Sequence, residues 1–343
     1  MHSCTTGWRL CPLPAPSATA QHGSQSSANT QRRAAAMRIA WIGLGNMGAP
    51  MSGRLVEAGH EVTGFDLSPA AREAAEQAGV RTTASAAEAV EQAELVFLML
   101  PNGTLVRQVL EDGVLDASPA DAIFVDSSTT DIEDAVTNHT LVTGTGRRFV
   151  DAPVSGGISG AAAGTLTFML GCTEDESADF VEVIEVLAGR IFHLGRPGLG
   201  QAAKIVNNMM LGISLAGTCE GAVLAERLGL DSSQFQQLAS VSSGDSWALR
   251  TWYPVAGVVE TAAVNRDFAG GFSVDLIKKD LGLALNAGRS TNTPLPHAES
   301  VAASMEALSQ AGHGQLDCSV LVRTIDQTLP TAQTDGREGM GQS

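Results

Sequence analysis

Lysine is almost missing from this chain. Its 343 residues hold three, Lys204, Lys278 and Lys279, against eighteen arginines. Arginine serves wherever any cation will do, so a retained ammonium marks a place for what a guanidinium does not do, which is to lose a proton near neutral pH. Aromatic residues are scarce too, at 4%, which leaves the core to Ala, Val, Leu and Ile. Positive charge is in deficit. The formal net charge is −16 and no dense Lys/Arg run occurs, which argues against a nucleic-acid partner and against an anionic membrane surface. No uninterrupted apolar run approaches the ~20 residues of a membrane-spanning helix. The five cysteines (Cys4, Cys11, Cys172, Cys219, Cys318) lie far apart without a C-x-x-C pair, and the seven histidines are scattered. Neither a disulfide framework nor a metal site is expected.

The first 36 residues lack Asp and Glu altogether and are rich in Ser, Ala, Gln, Thr and Pro. Such a segment buries too little apolar surface to fold. It reads either as a transit peptide, which would send the protein to the mitochondrial matrix, or as an extension upstream of a start at Met37, with the protein in the cytoplasm. The second reading is preferred, because Met37 directly precedes the first strand pattern and no Arg-studded amphipathic helix is evident. Residues 331–343 read as a loose polar tail. The remaining length suits two domains, expected over 37–198 and 199–330.

The first of these alternates strand and helix. Arg38-Ile-Ala-Trp-Ile-Gly43 suits a buried parallel strand and runs into Gly43-Leu-Gly-Asn-Met-Gly48. A helix follows to about Ala58, then a strand ending at Asp66, eighteen residues beyond Gly48. Gly43 permits a tight turn, Gly45 lets backbone approach a pyrophosphate, and Gly48 lets helix and strand pack closely. The helix N-terminus offers free N–H groups to the phosphates. In that context the G-x-G-x-x-G predicts dinucleotide binding by Gly43, Leu44, Gly45, Asn46, Met47 and Gly48. Asp66 would accept hydrogen bonds from the adenosine ribose and repel a 2′-phosphate, so NAD is preferred over NADP. Arg72 is one helical turn into the next element. Further strands are expected at Leu95–Leu100, Ala122–Asp126 and Arg148–Asp151. Thr165–Leu170 and Arg190–Leu194, bracketing a helix over 177–187, are expected to extend the same sheet. From Gln201 the pattern is helical throughout. The fold class is α/β: an N-terminal Rossmann-type doubly wound sheet followed by an all-α C-terminal domain.

Lys204 and Asn208 are four residues apart on an apolar helix, with Asn207 adjacent, so they share a face. Polar groups there must face a cleft or be bonded. A dehydrated lysine loses proton affinity and becomes a plausible general acid/base. The turn Ser155-Gly156-Gly157 can offer a hydroxyl and backbone N–H groups to a carboxylate. A nicotinamide, an anchored substrate and a base would complete a hydride-transfer site without a metal.

On these residues the chain resembles the β-hydroxyacid dehydrogenase family over about residues 37–325. Four motifs occur in family order: Gly43-Leu-Gly-Asn-Met-Gly-Ala-Pro-Met51; Asp151-Ala-Pro-Val-Ser-Gly-Gly157 with Gly160-Ala-Ala-Ala-Gly-Thr-Leu-Thr167; Gly200-Gln-Ala-Ala-Lys-Ile-Val-Asn-Asn208; and Lys279-Asp-Leu-Gly-Leu-Ala284. Ser242–Leu249, Tyr253–Gly257 and Gly270–Phe272 are similar to the 3-hydroxyisobutyrate branch. The resemblance implies NAD-dependent oxidation of a small hydroxy acid, with Lys204 as acid/base and Asn208 holding the substrate near it. It places Ser155, Gly156 and Gly157 on the substrate carboxylate, and Lys279 near nicotinamide and substrate with Asp280 supporting it. Leu100, Pro101 and Thr129 would contact the cofactor; Lys278 receives no role. It also implies a homodimer or homotetramer formed through the helical domain. Two departures stand out: Met169-Leu-Gly-Cys172, where a second glycine is usual, and Trp252-Tyr-Pro254. The alternatives are a relative acting on tartronate semialdehyde, glyoxylate or succinic semialdehyde, or a dinucleotide-binding module without catalysis.

Overall fold

The structure is a computed structural model that describes residues 36–327. The expected leader, apart from Ala36, and the 331–343 tail lie outside the described residues. Six parallel strands form the main sheet: β1 (Arg38–Ile42), β2 (Glu61–Phe65), β3 (Arg81–Thr82), β4 (Leu95–Leu98), β5 (Ile123–Asp126) and β6 (Arg148–Asp151). Their order is β3-β2-β1-β4-β5-β6, the doubly wound arrangement whose switch point lies between β1 and β4. The central strands β4 and β5 are buried at every position, as expected where helices cover both faces. Alternation divides them between two cores. Ile39, Trp41, Leu95 and Phe97 enter one; Ala40, Ile42, Val96 and Leu98 enter the other. Trp41 and Phe97, neighbours in register, stack with ring centroids 4.6 Å apart.

The sheet does not continue beyond β6, contrary to expectation. β7 (Val154–Ser155), β8 (Leu166–Leu170) and β9 (Ala188–His193) make a separate three-stranded sheet. Pro153, lacking an N–H, stands at the corner where the ladder stops. The Asp151 and Pro153 carbonyls there accept the N–H groups of Gly171 at 2.8 Å and Met169 at 3.0 Å. The chain therefore folds back, and β7 runs antiparallel to β8. The helix expected over 177–187 is two short pieces, Glu174–Ser177 and Val181–Glu185, broken where Phe180 leaves helical geometry to enter the core. The buried Cys172 occupies the departure from the glycine pattern as a core side chain.

After β9 every named element among the described residues is helical. The long helix Leu199–Arg227 dominates. By length and composition it is apolar enough to cross a bilayer; in the fold twelve of its residues, Gln201, Lys204 and Asn208 among them, are buried in protein. The helix Val274–Ser290, opened by the Ser273 cap, packs against it. Leu215, Cys219, Val223, Ile277, Leu281 and Met305 form a third core.

Candidate active site

The glycine turn is held from beneath. Trp41 donates its indole N–H to the Gly43 carbonyl at 3.0 Å. Gly43 has φ +99°, and a Cβ there would strike the Met99 carbonyl. A Cβ on Gly48 would strike the Gly43 carbonyl and lie 2.8 Å from the Trp41 nitrogen. Gly45 differs: a Cβ there would meet nothing within 4 Å, and both it and Asn46 are exposed. The turn is thus close-packed below and open above, and Met47 leads into the helix. Leu44 faces inward and belongs to the core, so only its backbone borders the turn, and its N–H is taken by Asp66 Oδ2 at 2.8 Å. The other oxygen of Asp66 accepts the Ser68 N–H at 2.8 Å. This pins the carboxylate at the end of β2. Arg72 is drawn over the Phe65 ring at 6.0 Å and donates to the Asp66 carbonyl. An open turn and a fixed carboxylate at the next strand end fit the pyrophosphate and adenosine ribose of a dinucleotide.

At the other end of the crevice four expected residues come together. Lys204, on the long helix, is 8% exposed. Burial pushes its amine down to about 8; the nearby Asp280 carboxylate works against this, and the Lys279 ammonium adds to it. Asp280 is buried, accepts from Asn208 Nδ2 at 2.6 Å and lies 3.4 Å from Lys279 Nζ. Asn208 Oδ1 in turn accepts from Asn207 at 3.1 Å, which orients the amide. Lys279 reaches the first domain, donating to the carbonyls of Thr129 at 2.8 Å and Pro101 at 3.1 Å. That joins it to the expected cofactor residues, Leu100 included, whose N–H is held by Ser128 Oγ at 2.9 Å. Lys278 turns elsewhere, to Ser309 at 2.9 Å and Glu306 at 3.4 Å. Ser155 ends β7. Gly156 at φ +136° and Gly157 at φ +66° open the helix Gly157–Ala163, and a Cβ on Gly157 would meet nothing within 4 Å. Among the described residues no hydrogen bond ties this turn to Lys204 or Lys279.

Sequence reasoning missed the polar residues behind the crevice. Asp126 and Asp151 end adjacent strands in register and are buried. Asp151 accepts the N–H groups of Gly198 at 2.9 Å and Gln201 at 3.0 Å, so it caps the long helix. Burial raises its carboxyl and these backbone bonds oppose the rise. Asp126 Oδ1 accepts the Ser128 N–H at 3.0 Å. Burial pushes its carboxyl up to about 6; the Ser128 bonds lower it, Asp151 raises it further, and Lys279 lowers it. Its Oδ2 and Ser127 Oγ are buried without a hydrogen-bond partner among the described residues. One signal was available: two apolar strand runs each end in Asp, which is unusual for a side chain facing a core.

A doubly wound parallel sheet with such a turn, and a helical region whose Lys279 bonds the loops after β4 and β5 near a buried amine, fits a dinucleotide-binding oxidoreductase architecture. Residues 38–195 match the family described as the NAD binding domain of 6-phosphogluconate dehydrogenase. Residues 198–325 match the one described as NAD-binding of NADP-dependent 3-hydroxyisobutyrate dehydrogenase. The chain is 41% identical to a 3-hydroxyisobutyrate dehydrogenase of Pseudomonas aeruginosa, covering 82% of this chain and 96% of the other. It is 36% identical to an NAD-dependent L-serine dehydrogenase of the same organism, covering 85% and 98%. A solved structure of Mycobacterium tuberculosis 3-hydroxyisobutyrate dehydrogenase with L-serine superposes with a TM-score of 0.79 at 44% identity, covering 85% of this chain and 99% of that one. The chain belongs to the β-hydroxyacid dehydrogenase family, among the 3-hydroxyisobutyrate dehydrogenases and their relatives, and is a nicotinamide-dinucleotide-dependent oxidoreductase.

The buried Asp126 generates a pH prediction. A folded-state carboxyl at about 6, above its unfolded value near 3.9, means that the native state holds the proton more tightly. Native stability is favoured below the unfolded value and is lost as pH rises through about 6. Asp126→Asn keeps an acceptor for Ser128 and removes the titration. Urea denaturation of both proteins between pH 4 and pH 7 should show the variant gaining on the parent as pH rises. A constant difference would refute the assignment.

Proposed function

We propose that the protein oxidises 3-hydroxyisobutyrate to methylmalonate semialdehyde with NAD, a step of valine breakdown, and that Lys204 is the general base. The observation that carries this is the buried amine at about 8, beside Asp280, at the end of the crevice reached from the glycine turn. The dinucleotide, when bound, supplies the hydride acceptor. Lys204, in its neutral form, takes the hydroxyl proton; the Ser155–Gly157 turn holds the substrate carboxylate. Asn208 turns its remaining amide hydrogen toward the substrate while Asp280 fixes its angle. Asp66 receives the ribose hydroxyls, and its charge disfavours a 2′-phosphate. Cytoplasmic placement accords with the bacterial relatives. The similarity to an L-serine dehydrogenase favours a second reading, in which another β-hydroxy acid is the preferred substrate.

The protein works as a homodimer or homotetramer through its long helix. Val206, Met210, Leu224 and Leu228 are exposed along one face, flanking the exposed Gly217. Val206 and Leu228 are equidistant from Gly217, and so are Met210 and Leu224. A two-fold axis at that glycine would set each large side chain against its counterpart on a second, antiparallel copy. Under the same operation Arg227 faces Asn207 and Glu220 faces Ser214, so no like charges oppose.

Lys204→Ala should bind nucleotide almost normally and lose about 10²-fold or more in kcat, while parental oxidation should rise with pH through about 8 as the amine deprotonates. Unchanged turnover in the variant removes Lys204 from the chemistry. A panel of hydroxy acids including L-serine, run with NAD and NADP, decides the substrate and cofactor preference. Met210→Glu should at least halve the particle mass in light scattering; an unchanged mass moves the interface off this face.

A further inference from the structure

Gln201 is buried with no exposed surface, in the first turn of the long helix, and its backbone N–H and both ends of its side-chain amide are bonded across the junction between sheet and helices. Its side-chain Nε2 donates to the Ser128 carbonyl at 2.7 Å, and its Oε1 accepts the Thr130 N–H at 3.0 Å. The amide thus bridges two backbone groups on either side of Thr129, as a paired strand would. Ser127, Ser128 and Thr130 are buried, whereas Thr129 is partly exposed, so of these four residues the loop held by this bridge leaves Thr129 alone accessible. The same loop is tied to β4's exit, because Ser128 Oγ accepts the Leu100 N–H, and to the second helix through Lys279 and the Thr129 carbonyl. Gln201 is three residues before Lys204, on the same helix face. Its own backbone N–H is held by Asp151, so the helix cannot slide along its axis without breaking the bridge.

We propose that Gln201 is a positioning residue whose side-chain amide sets the distance between the loop presenting Thr129 to the dinucleotide and the helix that carries Lys204. This rests on the reading of Lys204 as acid/base and of Thr129 as a cofactor contact. The amide satisfies both backbone groups because one end donates and the other accepts, which a carboxylate, an acceptor only, does not do. Hydride and proton transfer both depend on sub-ångström placement, so loosening the bridge should act on the chemical step more than on binding.

The test uses the full chain, 3-hydroxyisobutyrate carrying deuterium at its oxidised carbon, NAD, and direct NADH binding by fluorescence. Gln201→Met keeps the volume and removes both bonds. It should lower kcat by about 10- to 100-fold, leave the hydroxy-acid KM within about threefold, and raise the deuterium isotope effect on kcat as hydride transfer becomes rate-limiting. A variant that melts earlier but keeps the parental kcat and isotope effect overturns the proposal, because its role would then be structural. Gln201→Glu supplies a second test if the first variant does not fold. Its protonated carboxyl presents an O–H to Ser128 and rebuilds the bridge, whereas the carboxylate repels that carbonyl. The ratio of its activity to the parental activity should therefore fall as pH rises from 6.5 to 9, and a flat ratio overturns the proposal. Lys204→Ala, run alongside, separates the two ideas. Parental turnover in that variant sinks the acid/base reading, while a dead Lys204→Ala beside a Gln201→Met of parental turnover sinks the positioning role alone.

Discussion

A carboxylate set against the first turn of a helix holds the crevice together. Asp151 leaves the end of β6 and accepts the Gly198 and Gln201 N–H groups. Burying such an ion costs several kcal/mol. Charge-assisted bonds to unpaired helical N–H groups and the positive end of the helix offset much of that cost. The approach is close enough to forbid side chains around it. A Cβ on Gly171 would strike the Asp151 carboxylate, and one on Gly200 would lie 2.8 Å from both its carbonyl and its Oδ2. With the start of the helix fixed in this way, Lys204 arrives one turn later at a set height above the sheet.

The electrostatics around Lys204 are a compromise. Desolvation alone would drive a buried amine toward neutrality, and a nearby carboxylate alone would hold it charged. Asp280 supplies the carboxylate but is shared, bonded to Asn208 and paired with Lys279, whose own charge pushes the amine back down. The outcome is a group that can both accept and return a proton near neutral pH. A guanidinium in the same place would remain charged throughout, which gives a physical reason for lysine at this position in a chain that elsewhere mostly uses arginine.

The sheet and the helices are joined through backbone as much as through side chains. Lys279 and Gln201 both end on carbonyls or N–H groups of the loop after β5. This loop is thereby fastened to the two helices that carry Lys204, Asn208 and Asp280, and a movement of either helix must move Thr129. Backbone partners also make these contacts insensitive to the identity of the loop side chains, although not to the reach of the lysine or the two-ended chemistry of the glutamine.

Several features were legible in the residues alone. Strand, glycine turn and helix follow from an apolar run, three glycines and a 3.6-residue period, all local properties. The same holds for the long helix with Lys204 and Asn208 on one face. Local pattern did not say which edge Thr165–Leu170 would pair with, because a buried strand looks alike in either sheet; Pro153 was the cue, and only the corner hydrogen bonds made it decisive. Leu44 sits inside a phosphate-binding motif yet faces the core. Asp126, Asp151 and Gln201 read as ordinary polar residues at element ends. They are buried and bonded only because packing brings together strand ends and helix starts that lie far apart along the chain. Sequence determined the local frames and the residue types able to do the chemistry. Tertiary structure decided which polar groups meet, since hydrogen bonds between distant residues depend on how whole elements pack and on no pattern within any one of them.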